Sequence, residues 1–234
     1  TAGNITIAET DALVIRNAAQ TNAGASAGNI DITAVGAVTV EAVGTGGTGV
    51  TIDGLAASTG TITLAATGNG NSLGVAHNVT SKAGAITLRG GDNVSFTAAG
   101  TVASTTGNVT VTGNYLAGDA VGAITLTDGA TINAGSGTIT MTAPDDITLS
   151  GLSTTNATTS AVSVTSTAGG ILDAGNTNVD IVANNAAART TLSAATGIGV
   201  ANGLETTIGN LVATNSGTAG NITIAETDAL VIRN

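Results

Sequence analysis

Few side chains in this sequence are suited to catalysis. His77 is the only histidine, Lys82 is the only lysine, and cysteine is absent. General acid–base chemistry needs titratable groups that face one another. Asp145 and Asp146 are adjacent carboxylates, but neighbours along a strand point to opposite faces, so we assign them to a turn before a strand. We therefore predict no enzyme activity, no catalytic residues and no cofactor.

The metal-binding patterns in the sequence are incomplete. Residues 46–51 begin like the Gly-Gly-x-Gly-x-Asp repeat of calcium-binding β-rolls, but Thr51 stands where the ligand aspartate would be. A hard cation needs several oxygen ligands from one cluster, and the aspartates near glycines are isolated along the chain. We predict no metal site and assign turn roles to Asp53, Asp92, Asp119, Asp128 and Asp173.

The charge of the chain excludes two classes of partner. It has 15 acidic and 5 basic residues, for a net charge of −10, and the basic residues are scattered singly. Nucleic acids and anionic membranes attract clustered positive charge instead. The sequence also has no apolar run of the length that crosses a bilayer. We expect no nucleic-acid partner and no membrane insertion.

The core must be aliphatic. Hydrophobic residues make up 42% of the chain, yet Phe96 and Tyr115 are its only aromatic residues. A globular domain of this size normally fills the space between its layers with aromatic side chains. Their scarcity predicts a narrow core of stacked Ile, Val, Leu and Ala.

A short motif positions these aliphatic residues. A turn residue, usually Gly, is followed by alternating apolar and polar residues, as in Gly84-Ala85-Ile86-Thr87-Leu88. Alternation with period two is typical of a strand with one face inward. The predicted turn glycines are Gly3, Gly28, Gly36, Gly60, Gly84, Gly107, Gly122, Gly137 and Gly220. The predicted core ladder is Ile5, Ile7, Val38, Val40, Ile62, Leu64, Ile86, Leu88, Val109, Val111, Ile124, Leu126, Ile139, Ile147 and Leu149, with the threonines between them outside.

The spacing of the motif favours a β-solenoid. The glycines at positions 36, 60, 84 and 107 are almost evenly spaced, although the copies at 107, 122 and 137 follow one another more closely. Stacked aliphatic ladders suit a solenoid, in which each strand pairs with its equivalent one coil away. We predict an all-β fold, a right-handed parallel β-helix. It would have about 9–11 coils per repeat unit, and nine coils would extend roughly 43 Å at ~4.8 Å per coil.

The chain also repeats itself on a longer scale. Residues 1–17 and 218–234 are identical at every position. Packing tolerates exchanges such as Ile for Val, so convergence would not preserve each letter. We interpret 1–217 as one tandem unit and 218–234 as the start of the next, within one continuous solenoid. The two copies should then superpose after a translation along the axis.

The motifs resemble a known family. GNITI, GAITL, GTITL and GNVTV, set in sequence rich in Gly, Thr, Asn and Ala, are similar to the repeats of filamentous-haemagglutinin-type bacterial exoproteins. The resemblance implies a large β-helix, exported to the cell surface and used in adhesion or contact.

Two functions remain open from the sequence. The first is a structural repeat of an extracellular fibre or adhesin stalk on a bacterial surface, whose partners are adjacent copies of the unit stacked head to tail. The second is a binding module whose side face recognises a receptor, a glycan or ice. Outward threonines such as Thr138, Thr140 and Thr142 suggest an ice-binding ladder, although the unequal spacing of the motifs argues against a regular register.

Overall fold

The computed structural model describes residues 3–21, 28–41, 48–53, 57–116 and 118–234. In these residues all strand pairing is parallel, and the strands form three sheets. The first sheet contains β1 (Ile5–Glu9), β4 (Ile30–Ala34), β7 (Ile62–Ala66), β10 (Ile86–Arg89), β13 (Val109–Thr112), β16 (Ile139–Ala143), β19 (Val162–Ser166), β22 (Arg189–Ala194), β24 (Asn210–Asn215) and β26 (Val231–Ile232).

The other two sheets complete each coil. The second sheet contains β2 (Leu13–Ile15), β5 (Val38–Val40), β8 (Leu73–Val75), β11 (Val94–Phe96), β14 (Ile124–Leu126), β17 (Ile147–Leu149) and β20 (Ile171–Asp173). The third sheet contains β3 (Asn17–Gln20), β6 (Gly49–Ile52), β9 (Val79–Thr80), β12 (Thr101–Ala103), β15 (Thr131–Asn133), β18 (Gly151–Ser153), β21 (Ile181–Ala183), β23 (Leu204–Ile208) and β25 (Ile224–Glu226). From β1 to β21 the chain visits the three sheets in turn, and each strand pairs with its equivalent in the next coil. Beyond β21 the second sheet continues only as isolated bridges of Ile198 with Ile171 and with Ile222. The predicted fold class, a parallel β-helix, is confirmed, while its right-handed sense stays a prediction.

The coils differ in length but keep one register. Ile62 pairs with Ile86, whereas the coil before it is longer, because Ile30 pairs with Ile62. The difference lies in the lengths of the connections, since the paired strands themselves stay aligned. Strand alignment is therefore independent of how much sequence each coil contains.

The inward-facing rows of side chains are fully buried. In the first sheet, Ile30, Ile62, Ile86, Val109 and Ile139 are successive register partners, and each is 0% exposed. The remaining residues of the predicted ladder from position 38 onward are likewise fully buried; they are Val38, Val40, Leu64, Leu88, Val111, Ile124, Leu126, Ile147 and Leu149. Burying an aliphatic side chain of this size stabilises a fold by roughly 1.5–3 kcal/mol.

The first coil departs from the predicted burial. Ile5 is only half-buried and Ile7 is 38% exposed. Their strand, β1, pairs on one side only, with β4, among the described residues. The inward position of these side chains therefore does not bury them, because a second coil is needed to cover the row.

Glycine is required where the corner of one coil lies on the corner before it. A Cβ atom added to Gly84 would lie 1.8 Å from the carbonyl oxygen of Gly60, and one added to Gly107 would lie 2.0 Å from that of Gly84. At Gly28 and Gly137 the corresponding distances, to the carbonyl oxygens of Gly3 and Gly107, are 1.9 and 2.2 Å. A side chain at these corners would push neighbouring coils apart.

Asparagine beside these glycines joins successive coils. The side-chain oxygen of Asn4 accepts a hydrogen bond from the backbone N–H of Asn29, at 3.0 Å. Asn29 in turn accepts one from the N–H of Thr61, also at 3.0 Å. Asn108 does the same for Thr138. The Gly-Asn start of the motif thus satisfies backbone donors at the corner that the sheets leave unpaired.

The two identical segments do not superpose. In the first copy, Ile5–Glu9 lies in the first sheet and Leu13–Ile15 in the second. In the second copy, Ile224–Glu226 lies in the third sheet and Val231–Ile232 in the first. The expectation of equivalent placement is wrong for this chain. The reason is register: the row of partners that starts at Ile5 reaches Leu211 and then Ile232, so no coil of the first sheet begins at the matching residue, Ile222.

Substitution of an inward and an outward residue should have very different effects. Ile86→Asp places an unpaired charge in the dry core and should lower the free energy of unfolding by about 3–5 kcal/mol. Thr87→Asp adds the same charge on the outer face, in a row where Asp31 already pairs with Thr63. It should change stability by less than about 0.5 kcal/mol. Urea unfolding followed by circular dichroism measures both, and equal losses would contradict the assigned faces.

Candidate functional site

The residues first considered for catalysis lie in separate connections. His77 is half-buried between β8 and β9, and Lys82 lies between β9 and β10. The Nζ atom of Lys82 is 3.6 Å from Oδ1 of Asp53, a largely exposed carboxylate. Exposed ion pairs of this kind contribute little to stability. Lys82 therefore has a carboxylate partner at the surface.

Asp145 and Asp146 bind backbone in two different coils. Oδ2 of Asp145 accepts a hydrogen bond from the N–H of Gly122 at 3.0 Å, one coil back. Oδ1 of Asp146 accepts one from the N–H of Gly170 at 2.7 Å, one coil forward. The two carboxylates therefore link neighbouring coils through backbone hydrogen bonds. They lie before β17, where the sequence placed them.

Asp128 also has a structural role. Its two carboxylate oxygens accept hydrogen bonds from the N–H of Thr177, at 3.1 Å, and from the hydroxyl of Thr177, at 2.7 Å. These residues precede β15 and β21, which are two coils apart in the third sheet. The contact holds the connection between β20 and β21 against the turn before β15.

Three acidic side chains converge near the second and third sheets. Asp173 ends β20, Asp180 immediately precedes β21, and Glu205 lies in β23, one coil further along. One carboxylate oxygen from each lies within 4.8 Å of the oxygens of the other two. Among the described residues, this is the one place where three potential ligand side chains come so close. The assumption that Asp173 is isolated is therefore wrong.

Asp180 is the centre of this acidic cluster. The residue is 0% exposed. Its Oδ2 accepts a hydrogen bond from the backbone N–H of Glu205 at 3.0 Å, but its Oδ1 is buried without a partner. Oε2 of Glu205 is also buried without a partner. At the rim, the Asn202 amide donates hydrogen bonds to Asp173 and to Asn176.

The surroundings of Asp180 disfavour ionisation of its carboxyl group. Burial, followed by the negative charge of Asp173, raises the pKa of Asp180 from its usual 3.8 to about 8. The Glu205 carboxylate acts in the same direction, and only the hydrogen bond from the Glu205 N–H opposes it. Buried carboxylates normally have a cation or several donors as partners. This cluster has an excess of acceptors.

Sequence reasoning missed two members of the cluster. Neither Asp180 nor Glu205 belongs to a recognisable motif, and the stretch between β20 and β21 has no regular pattern. One signal was present: the separation of the two residues along the chain is close to one coil, like that of Ile62 and Ile86. That separation predicts contact only if the intervening connections are known to complete a single coil.

The stretch that resembles a calcium-binding β-roll is described only in part. Gly46 and Gly47 lie outside the described residues, whereas Thr51 lies in β6 and pairs with Ala19 and Thr80. Thr51 therefore occupies an ordinary position within the third sheet.

Threonine rows are more regular than their spacing suggested. On the outer face of the first sheet, Thr63, Thr87, Thr110 and Thr140 are successive register partners. Ser163 and Thr191 continue the row. The inference that unequal motif spacing prevents a regular ladder is therefore wrong, because the connections absorb the difference. The row is interrupted by Asp31 at its other end.

Comparison with known proteins supplies no further assignment. No protein-family model matches the sequence, and no similar curated protein or solved structure was found. In the described part of the chain there is also no helix with the length and apolar character needed to cross a membrane. The site is therefore interpreted from its own residues.

The raised pKa of Asp180 predicts a specific pH dependence. Between about pH 4 and pH 8 the folded chain retains a proton that the unfolded chain has released. The free energy of unfolding should therefore fall as the pH rises through this range in the presence of a chelator. Asp180→Asn removes the titrating group and should flatten the fall. Urea unfolding near pH 5 and near pH 8 measures it, and an identical pH profile in the two proteins would contradict the assignment.

Proposed function

We propose that this chain is a structural repeat of a long extracellular fibre or adhesin stalk, which stacks head to tail into a continuous β-solenoid. The observation that carries the proposal is the identity of residues 1–17 and 218–234 in a chain that folds as a stack of parallel coils. A tandem array of such units lengthens one stack without requiring a new fold.

The edges of the stack are suited to extension. Among the described residues, β1 pairs only with β4, and β26 pairs only with β24. An unpaired parallel edge exposes a row of N–H and C=O groups that another strand satisfies. The exposed Ile7 and the exposed Ile232 mark apolar surface at the same two edges. A neighbouring unit would cover both the backbone groups and the apolar side chains.

A continuous array requires one change of register at the junction. For the second copy to repeat the first, Ile222–Glu226 must occupy the place on the first sheet that Asn210–Asn215 occupies here. The two segments compete for this place because their sequences are alike. Each has a Gly-Asn pair at its start, at 209–210 and at 220–221, and each continues with apolar residues: Leu211 and Val212 in one, Ile222 and Ile224 in the other. In the array, β22 would pair with Ile222–Glu226, and residues 209–221 would become a connection.

The resulting unit contains a whole number of coils. The row that begins at Ile5 passes through Ile30, Ile62, Ile86, Val109, Ile139, Val162 and Thr190. Ile222 is then the eighth step, and the coil from Thr190 to Ile222 has the same length as the coil from Ile30 to Ile62. Eight coils at ~4.8 Å give a unit roughly 38 Å long, one coil fewer and shorter than the nine coils and roughly 43 Å expected from the motif spacing.

The partners in this proposal are adjacent copies of the unit, and the setting is the surface of a bacterial cell. The support for that setting is the resemblance of the GNITI-type motifs to repeats of filamentous-haemagglutinin-type exoproteins. Recognition of a receptor, a glycan or ice by a side face stays a prediction.

A two-unit protein, residues 1–217 followed by residues 1–234, tests the proposal. Small-angle scattering should show a rod that is longer than the single chain by roughly 38 Å, at unchanged cross-section. Hydrogen exchange should show Asn210–Asn215 protected in the single unit but open in the first unit of the pair, because its place is taken by the next copy. A rod of unchanged length, or two units joined flexibly with Asn210–Asn215 protected in both, would contradict head-to-tail stacking.

A further inference from the structure

The acidic cluster brings together more negative charge than its surroundings balance. One oxygen from each of Asp173, Asp180 and Glu205 lies within 4.8 Å of the other two. The ion pairs of the described residues are Arg16 with Glu41 and Lys82 with Asp53, so none of these cations faces the cluster. A buried carboxylate without a counter-charge is strongly destabilising.

Two oxygens in the cluster are available to a ligand. Oδ1 of Asp180 and Oε2 of Glu205 are both buried, and neither accepts a hydrogen bond. Asp180 is fully buried, and its other oxygen is fixed by the N–H of Glu205. Its orientation is therefore set by the backbone of the next coil. Buried polar atoms without partners are uncommon in folded proteins and call for an explanation such as an ion.

We propose that Asp173, Asp180 and Glu205 form a calcium site. Calcium takes six to eight oxygen ligands at roughly 2.4 Å in a flexible geometry, and three carboxylate oxygens within 4.8 Å of one another are close enough to share one such ion. Magnesium demands a near-ideal octahedron and usually keeps several water ligands, which suits a fully buried carboxylate such as Asp180 less well. The absence of histidine and cysteine from the cluster disfavours zinc.

The site would join the connection between β20 and β21, which is not part of any sheet, to the next coil. Asp173 and Asp180 are the two ends of the connection between β20 and β21, and Glu205 belongs to the following coil. An ion bound to all three would close this connection and fasten it to β23. In a stacked array β23 would lose its pairing with Ile224–Glu226, but its pairing with β21, which holds Glu205 beside Asp180, would remain.

The competing way to neutralise the cluster is a proton. A proton held on Asp180 would also relieve the repulsion. The two possibilities differ in their response to calcium. Near pH 7.5, calcium leaves the stability of the chain unchanged if a proton alone neutralises the cluster, whereas a calcium site gives saturable binding with one ion per chain.

The test uses the whole chain, residues 1–234, after removal of metal with a chelator. Isothermal titration with calcium chloride near pH 7.5 should show one saturable site, and a hundredfold excess over Kd should raise the melting temperature by about 5–10 °C. Magnesium chloride should bind at least about tenfold more weakly. Asp180→Asn and Glu205→Gln should each weaken calcium binding by about tenfold or more, and the second variant keeps the test open if the first does not fold.

The matched control is Asp31→Asn, which removes one negative charge from the exposed outer face of β4. This variant should bind calcium as the unchanged chain does, so it separates a built site from general attraction to a chain of net charge −10. No saturable binding, equal binding by Asp180→Asn and Glu205→Gln, or equal binding of magnesium and calcium would overturn the proposal.

Discussion

The close stacking of successive coils constrains every other feature of this protein. Parallel strands joined by backbone hydrogen bonds lie ~4.8 Å apart, and this distance leaves no room for a Cβ atom where corner lies on corner. A methyl group on Gly84 would lie 1.8 Å from the carbonyl oxygen of Gly60. Glycine at the corner permits the strands to align, and alignment brings Ile62, Ile86 and Val109 into one buried row. Connections of different length then lie outside the stack.

The same constraint explains which features were predictable. Alternation at Ile86-Thr87-Leu88 predicts both a strand and its inward face, because burial in a parallel stack depends only on period two. The lengths of the connections do not follow from that pattern. The proximity of Asp180 and Glu205 depends on how residues 174–203 complete a coil, and nothing in their sequence indicates it. Prediction was therefore good for the core and poor for contacts made by connections.

The two identical segments show the limit of local sequence most clearly. Ile5–Glu9 pairs with β4 in the first sheet, whereas Ile224–Glu226 pairs with β23 in the third. A segment of a few alternating residues accepts whichever edge the preceding coil offers, because each parallel edge presents the same backbone groups. Placement in a solenoid is thus decided by the neighbour already formed, and a following unit is able to change it at the junction.

The most direct test of uniform stacking is a pair of distances between spin labels on the outer row of the first sheet. The chain has no cysteine, so labels attach only at introduced positions. Thr63 and Thr191 are five coils apart in this row, and Asp31 and Thr191 are six. Pulsed electron–electron double resonance should give a label-to-label distance of roughly 24 Å in the double variant Thr63→Cys with Thr191→Cys. It should give roughly 29 Å in the double variant Asp31→Cys with Thr191→Cys. The added coil, from Asp31 to Thr63, is longer than the one that follows it, so a difference far from ~4.8 Å would contradict a stack whose spacing is independent of coil length.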